Sequence, residues 1–241
     1  MDASRNSRRG SANGSSPSFP DRPVTFLPVD VLSELLPPRG YVSPDEMRPP
    51  GGRSGADSDA PPTPSGTAAQ TDGRTLVSRA VSQALSGSYP AALASLDEAG
   101  RALEPGDSAA RLLVLLNRAQ ALLETGDLAA AGESAAEALR LARRERVERW
   151  IALAGLSAAL VHLARGRRGE ARNRLGDAVR QLARDGDALR QIQCHYLLGE
   201  IAYLAEDPIR AGSHYRDALG VARATREQEW IDLLTLRFEH R

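Results

Sequence analysis

Four segments of this chain share one pattern and recur at a nearly fixed period. They read GSYPAALASLDEA from Gly87, GDLAAAGESAAEAL from Gly126, GRRGEARNRLGDAV from Gly166 and EDPIRAGSHYRDAL from Glu206. Their starts lie 39, 40 and 40 positions apart. A repeat of this length is one supersecondary unit that cannot bury its apolar face alone, so successive units stack on one another. The spacing therefore predicts an elongated all-α array rather than one closed core.

Small residues occupy fixed places in each unit. Ala92, Ala131, Ala171 and Ala211 are equivalent, as are Ala99, Ala138, Ala178 and Ala218. The two sets are seven apart, about two helical turns, so both fall on one face, where alanine lets a neighbouring helix approach. Leu96, Ala135, Leu175 and Tyr215 lie between them. Gly87, Gly126 and Gly166 suit the bend between two antiparallel helices, where a positive φ costs glycine little. In the last unit Glu206-Asp207-Pro208 replaces that glycine, and Pro208 fits a helix start. Upstream of each bend runs a second, broadly apolar helical pattern. The expected pairs are about 75–86 with 89–103, 108–125 with 128–145, 148–165 with 168–185 and 188–205 with 208–224. A final helix follows at about 226–239.

The first 72 residues differ in kind. They hold 12 of the 15 prolines and are rich in Ser, Gly, Asp and Arg. Such a composition buries too little apolar surface to offset the entropy of ordering. The reading is a disordered tail over 1–72 and a repeat domain over 73–241. One apolar cluster interrupts the tail at 26–36. There Phe26, Val29, Leu32, Leu35 and Leu36 form a candidate docking motif, too short to hold a helix by itself.

Composition also excludes chemistry. All 31 basic residues are Arg, so there is no lysine for a phosphate loop, a Schiff base or a general base. The formal net charge is zero, which gives no global attraction to nucleic acid or an anionic membrane. A single cysteine, Cys194, rules out an internal disulfide framework and a thiolate zinc cluster. The first ten residues carry no apolar run and no stretch approaches a membrane span, so a soluble cytoplasmic protein is expected. His162, His195, His214 and His240 form no HExxH pattern and no pair at i, i+4 spacing. No catalytic residue, metal or cofactor is expected. Nucleic-acid binding is also disfavoured, because the basic run at Arg165-Gly166-Arg167-Arg168 has no interleaved aromatic residues.

The Gly87/Tyr89/Ala92/Ala99 and Gly126/Leu128/Ala131/Ala138 spacings, with LLNRAQALLETGDLAAA from Leu115, resemble the tetratricopeptide repeat (TPR) family. The resemblance covers about two-thirds of the chain. It implies a TPR-like solenoid of about four helix pairs plus a C-terminal helix. The repeats here are near 40 residues, longer than the usual 34, and look like those of bacterial signal-transduction regulators and kinesin light chains. In that family the first helix of each pair lines a concave groove. The resemblance implies groove residues Asn117, Gln120, Leu123, Leu156, Leu160, Gln193, Tyr196, Glu200 and Tyr203. Asn117 stands where the family often places an Asn that hydrogen-bonds a peptide backbone. The function this implies is a non-catalytic scaffold or adaptor that binds a protein or peptide partner. A regulatory sensor acting in trans on a transcription factor or ATPase is an alternative. An assembly component is another: Trp230, Leu234 and Phe238 on the last helix have no following repeat to cover them, and would form a homo-oligomer contact.

Overall fold

The computed structural model of the chain describes residue 42, residues 72–104 and residues 106–239. The described residues form nine α-helices: α1 Gly73–Leu85, α2 Tyr89–Ala102, α3 Ser108–Glu124, α4 Leu128–Glu145, α5 Glu148–Ala164, α6 Arg168–Asp185, α7 Ala188–Tyr203, α8 Pro208–Thr225 and α9 Gln228–Glu239. No described residue is in a strand. The expected pairs form almost to the residue, and each helix packs on its neighbours in sequence. The first helices α3 and α5 also touch, as do α1 and α3, so the first helices share one wall of the stack.

The bends explain the period. Gly87, Gly126 and Gly166 have φ of +79°, +80° and +72° at the turns inside the first three pairs. Glu206 takes the same left-handed conformation, with φ +56°, in the fourth. A second set of positive φ values marks the turns between pairs, at Arg146, Gly186 and Arg226, again 40 apart. An aspartate often follows the bend and opens the next helix. The side chains of Asp107, Asp127, Asp187 and Asp207 accept hydrogen bonds from the N–H groups of Ala110, Ala130, Arg190 and Arg210, at 2.9–3.2 Å. Each occupies one of the N–H groups a helix start leaves without a partner.

The alanine columns are the contact between helices. All eight equivalent alanines are no more than 2% exposed, and Leu96, Ala135, Leu175 and Tyr215 between them are equally buried. Gly199 serves the same purpose on α7. A Cβ there would lie 2.5 Å from the Tyr215 ring, so only glycine lets α7 and α8 meet around that tyrosine.

The interior divides into two apolar clusters. The larger takes in Val42 and runs from Leu76 to Ile201, and consists mostly of Leu, Ala and Val. The smaller, at the C-terminal end, is built around Tyr196, Tyr215, Trp230 and Leu234. This corrects one expectation. Trp230 and Leu234 were expected to stand exposed as a contact surface, but they are 1% and 0% exposed. Trp230 meets Tyr196 edge-on at 5.6 Å, and Phe238, half-buried, meets Tyr215 edge-on at 6.3 Å. The apolar face of α9 is spent on covering α7 and α8. Leu236 is left 56% exposed.

Candidate functional site

The first helices line a groove that, beside Val42, keeps a small, partly open pocket of about 30 Å³. Its apolar wall comes from Leu116 on α3, Leu153, Leu156 and Leu160 on α5, and Leu197 on α7. Gln120, Ser157, Arg190 and Gln193 place polar groups along it. Helical geometry explains the set: Leu153, Leu156, Ser157 and Leu160 follow the i, i+3, i+4, i+7 rule for a single face. Asn117, Ser157 and Leu197 are 40 apart and hold equivalent positions on successive first helices.

Among the described residues, one from outside the repeat domain lines this groove. Val42 is 5% exposed and sits against the groove wall. Its backbone is held at both polar atoms by the Asn117 side chain. The Val42 N–H donates to Asn117 Oδ1 at 2.8 Å. Asn117 Nδ2 donates to the Val42 carbonyl oxygen, also at 2.8 Å. Asn117 is itself 1% exposed. A buried amide must find partners for both of its ends, and one residue of main chain supplies both. Such a pairing reads backbone rather than side chain, so it accepts any residue but proline.

Among the expected groove residues, Gln120, Leu156, Leu160 and Gln193 line this groove, and Asn117 reaches it through its two bonds to Val42. Gln120 also donates to Glu124 at 2.8 Å. Burial raises the Glu124 pKa, and the bond from Gln120 offsets part of that. Leu123 is buried in the main core on α3. Tyr196, Glu200 and Tyr203 lie apart from the groove. Tyr196 is wholly buried in the aromatic cluster. Glu200, 4% exposed, accepts from the Tyr215 hydroxyl at 2.5 Å and from the Arg237 guanidinium at 2.9 and 2.5 Å. Arg237 lies 5.6 Å from the centre of the Tyr203 ring. The last helix thus claims all three. Sequence reasoning missed Leu153, Arg190, Leu197 and Val42 as groove residues. A strict 40-residue offset from Asn117 would have found Leu197; nothing in the sequence links Val42 to Asn117. The candidate docking motif at Phe26, Val29, Leu32, Leu35 and Leu36 lies outside the described residues.

Cys194 is fully buried, and burial pushes its thiol pKa well up, so the thiol stays protonated and inert at neutral pH. Two histidines come together without any sequence motif. His195 on α7 and His214 on α8 have ring centres 5.8 Å apart, and Asp217 lies one turn beyond His214. His195 Nδ1 is 3.8 Å from Asp217 Oδ2. One donor atom from each of the three falls within 4.8 Å of the others. Burial lowers both imidazole pKa values, chiefly by desolvation and against the pull of Asp217.

These features define an all-α helical-repeat solenoid of TPR-like form, with a groove along its first helices. Among solved structures, the chain is similar to RapI, crystallised in its apo form. The match has a TM-score of 0.62 at 10% identity, over 67% of this chain and 60% of that one. It shows the fold; the chain spans less than two-thirds of that neighbour's length. No protein-family model matches the chain, and no curated protein matches it in sequence. No described helix is long and apolar enough to cross a membrane.

Proposed function

We propose that the chain is a non-catalytic interaction module whose groove binds an extended peptide segment of a protein partner. The observation that carries this is the Asn117 side chain closing on both main-chain groups of a residue 75 positions away. An amide held at that spot pairs with a strand-like backbone, while the leucines on α5 and α7 accept an apolar side chain. Arg190 and Gln193 add polar groups at the far wall. The RapI likeness supports a fold in which first helices make such a wall. A regulatory role, with the bound peptide altering a transcription factor or ATPase in trans, is the finer form of this reading. Burial of Trp230 and Leu234 counts against assembly through the last helix.

An array of random ten-residue peptides probed with the full chain tests the proposal. Peptides with an apolar β-branched residue should be retained by the full chain carrying Val42→Pro, whose residue 42 has no N–H to give Asn117, and lost when Asn117→Ala is added. Each neutral hydrogen bond contributes about 0.5–1.5 kcal/mol net, so losing both weakens binding by roughly 5–150-fold. An array with no Asn117-dependent peptide would defeat the reading.

A further inference from the structure

We propose that the groove is self-occupied: Val42 is a built-in competitor that an incoming peptide must displace. This rests on the peptide-binding reading above and adds its regulation. Val42 belongs to the Pro-rich N-terminal region, yet it is 5% exposed and hydrogen-bonded by a buried side chain of the repeat domain. Its two bonds are those a peptide residue would make. While Val42 is seated, the edge of the Asn117 amide that can pair with one residue's N–H and C=O is taken by the tail residue. A free peptide and Val42 therefore exclude one another at this point.

The connection permits it. Twenty-nine residues, 43–71, separate Val42 from Asp72 at the start of α1, and a chain of that length reaches up to about 100 Å when extended. A tether of this kind presents its end at an effective concentration of order 0.1–1 mM. A contact that is weak by itself then suffices to hold the groove closed against micromolar peptide. The competition also lowers the apparent affinity of any ligand by the fraction of molecules left open. Residues around Val42 read Arg39-Gly40-Tyr41-Val42-Ser43-Pro44, which places one apolar β-branched side chain at the clamped position.

The test uses the full chain and a labelled synthetic peptide of residues 37–47 as the probe. Val42→Pro removes the N–H that Asn117 Oδ1 accepts, and Val42→Asp puts a charge where the apolar side chain sits. Fluorescence anisotropy should show both variants binding the probe at least about tenfold more tightly than the native protein. Adding Asn117→Ala to either should abolish the gain. Helical circular dichroism and thermal midpoint confirm that each variant is folded. Equal affinity of native protein and Val42 variants overturns self-occupation while leaving the groove reading intact. Failure of the probe to bind any folded variant overturns the groove reading itself. A native dimer by light scattering that both Val42 variants dissolve would make the occupant a second copy, and overturns occupation in cis.

A separate set of side chains carries a second proposal: His195, His214 and Asp217 form a site for one divalent transition-metal ion. His214 and Asp217 stand at i, i+3 on α8, hence on one face, and His195 meets them from α7. His195 Nδ1 and His214 Nδ1 are both buried with no hydrogen-bond partner. The 3.8 Å gap from His195 to Asp217 is too long for a hydrogen bond. Two imidazole nitrogens and a carboxylate oxygen within 4.8 Å of one another need draw in by only about 1 Å to reach the roughly 2.0–2.2 Å ligand distances of zinc or cobalt, with water in the fourth place. Cobalt(II) titration of the full chain at pH 7.5 should give visible bands of four-coordinate metal at one equivalent, displaced by zinc. His214→Ala and Asp217→Asn should each weaken binding by at least about tenfold. Absence of such bands, or native-like affinity in His214→Ala, overturns the site.

Discussion

Equivalent positions on the first helices do opposite things in the middle and at the end of the array. On α3 and α5, Leu116 and Leu156, Ser157, and Gln120 and Leu160 line the groove, and Asn117 holds Val42 in it. Forty residues on, Tyr196 and Glu200 are sealed within the C-terminal cluster, while Leu197 and Gln193 still line the groove. The covering helix is α9. Its Arg237, 40 positions after Leu197, turns its guanidinium back onto Glu200. The same register thus yields an open groove where the next first helix is lined with small and aliphatic residues, and a cap where it carries Trp230 and Arg237. Solenoids need such a closing unit, because a last repeat with its apolar face open would aggregate.

The comparison breaks most visibly at Trp230. Trp230→Ala should cost about 3–5 kcal/mol, since the indole is 1% exposed and its removal opens a cavity beside Tyr196. If cap and groove are separate, the thermal midpoint falls while hydrogen exchange in α3 and α5 stays slow up to the new transition. Uniform loss of protection across all first helices would show one cooperative unit instead.

Removing one partner of the Glu200–Arg237 pair comes next. Glu200 keeps only the Tyr215 hydroxyl when Arg237 becomes alanine, and a buried carboxylate is left without its cation. The fully buried case costs about 3–5 kcal/mol, but the Arg237 side chain is 35% exposed, so about 2–3 kcal/mol is expected for Arg237→Ala by urea unfolding. Glu200→Gln/Arg237→Met should recover part of that loss, because no charge remains to be buried. If the double variant is no better than Arg237→Ala alone, the pair's contribution is shape rather than charge.

Gly199→Ala probes the helix contact that joins the two regions. Its new methyl would press on the Tyr215 ring at 2.5 Å, and overpacking of this kind costs about 1–3 kcal/mol. A sharper test couples it to Tyr215→Phe: the ring, not the hydroxyl, is in the way, so the penalty should persist.

The array was legible in the sequence because its physics is local and periodic. Alanines seven apart and bends 40 apart follow from how helices touch and turn, and these fixed the helices almost to the residue. The bend aspartates are equally readable as caps. What escaped was non-local. Asn117 meets Val42 across 75 positions, and no period joins a Pro-rich stretch to a helix face. His195 and His214 pair across two helices, invisible to a search for i, i+4 spacing. Tyr196 and Glu200 looked like groove residues because their register says so; only the size of Trp230 and the reach of Arg237, both on a later helix, decide otherwise.

The smallest effect concerns the difference between neighbouring groove positions. Ser157 lies 40 residues after Asn117 and lines the groove, but its hydroxyl is too short to span a peptide residue's N–H and C=O as Asn117 does. Ser157→Asn would place a second amide one repeat along the same wall. If a peptide runs extended past both first helices, the new side chain should add one or two neutral hydrogen bonds and tighten binding of the 37–47 probe to Val42→Pro protein by about two- to tenfold. The gain should vanish in a probe with proline at the facing position, which has no N–H to give. An unchanged affinity would mean that the peptide leaves the wall after Asn117, and would confine backbone reading to α3.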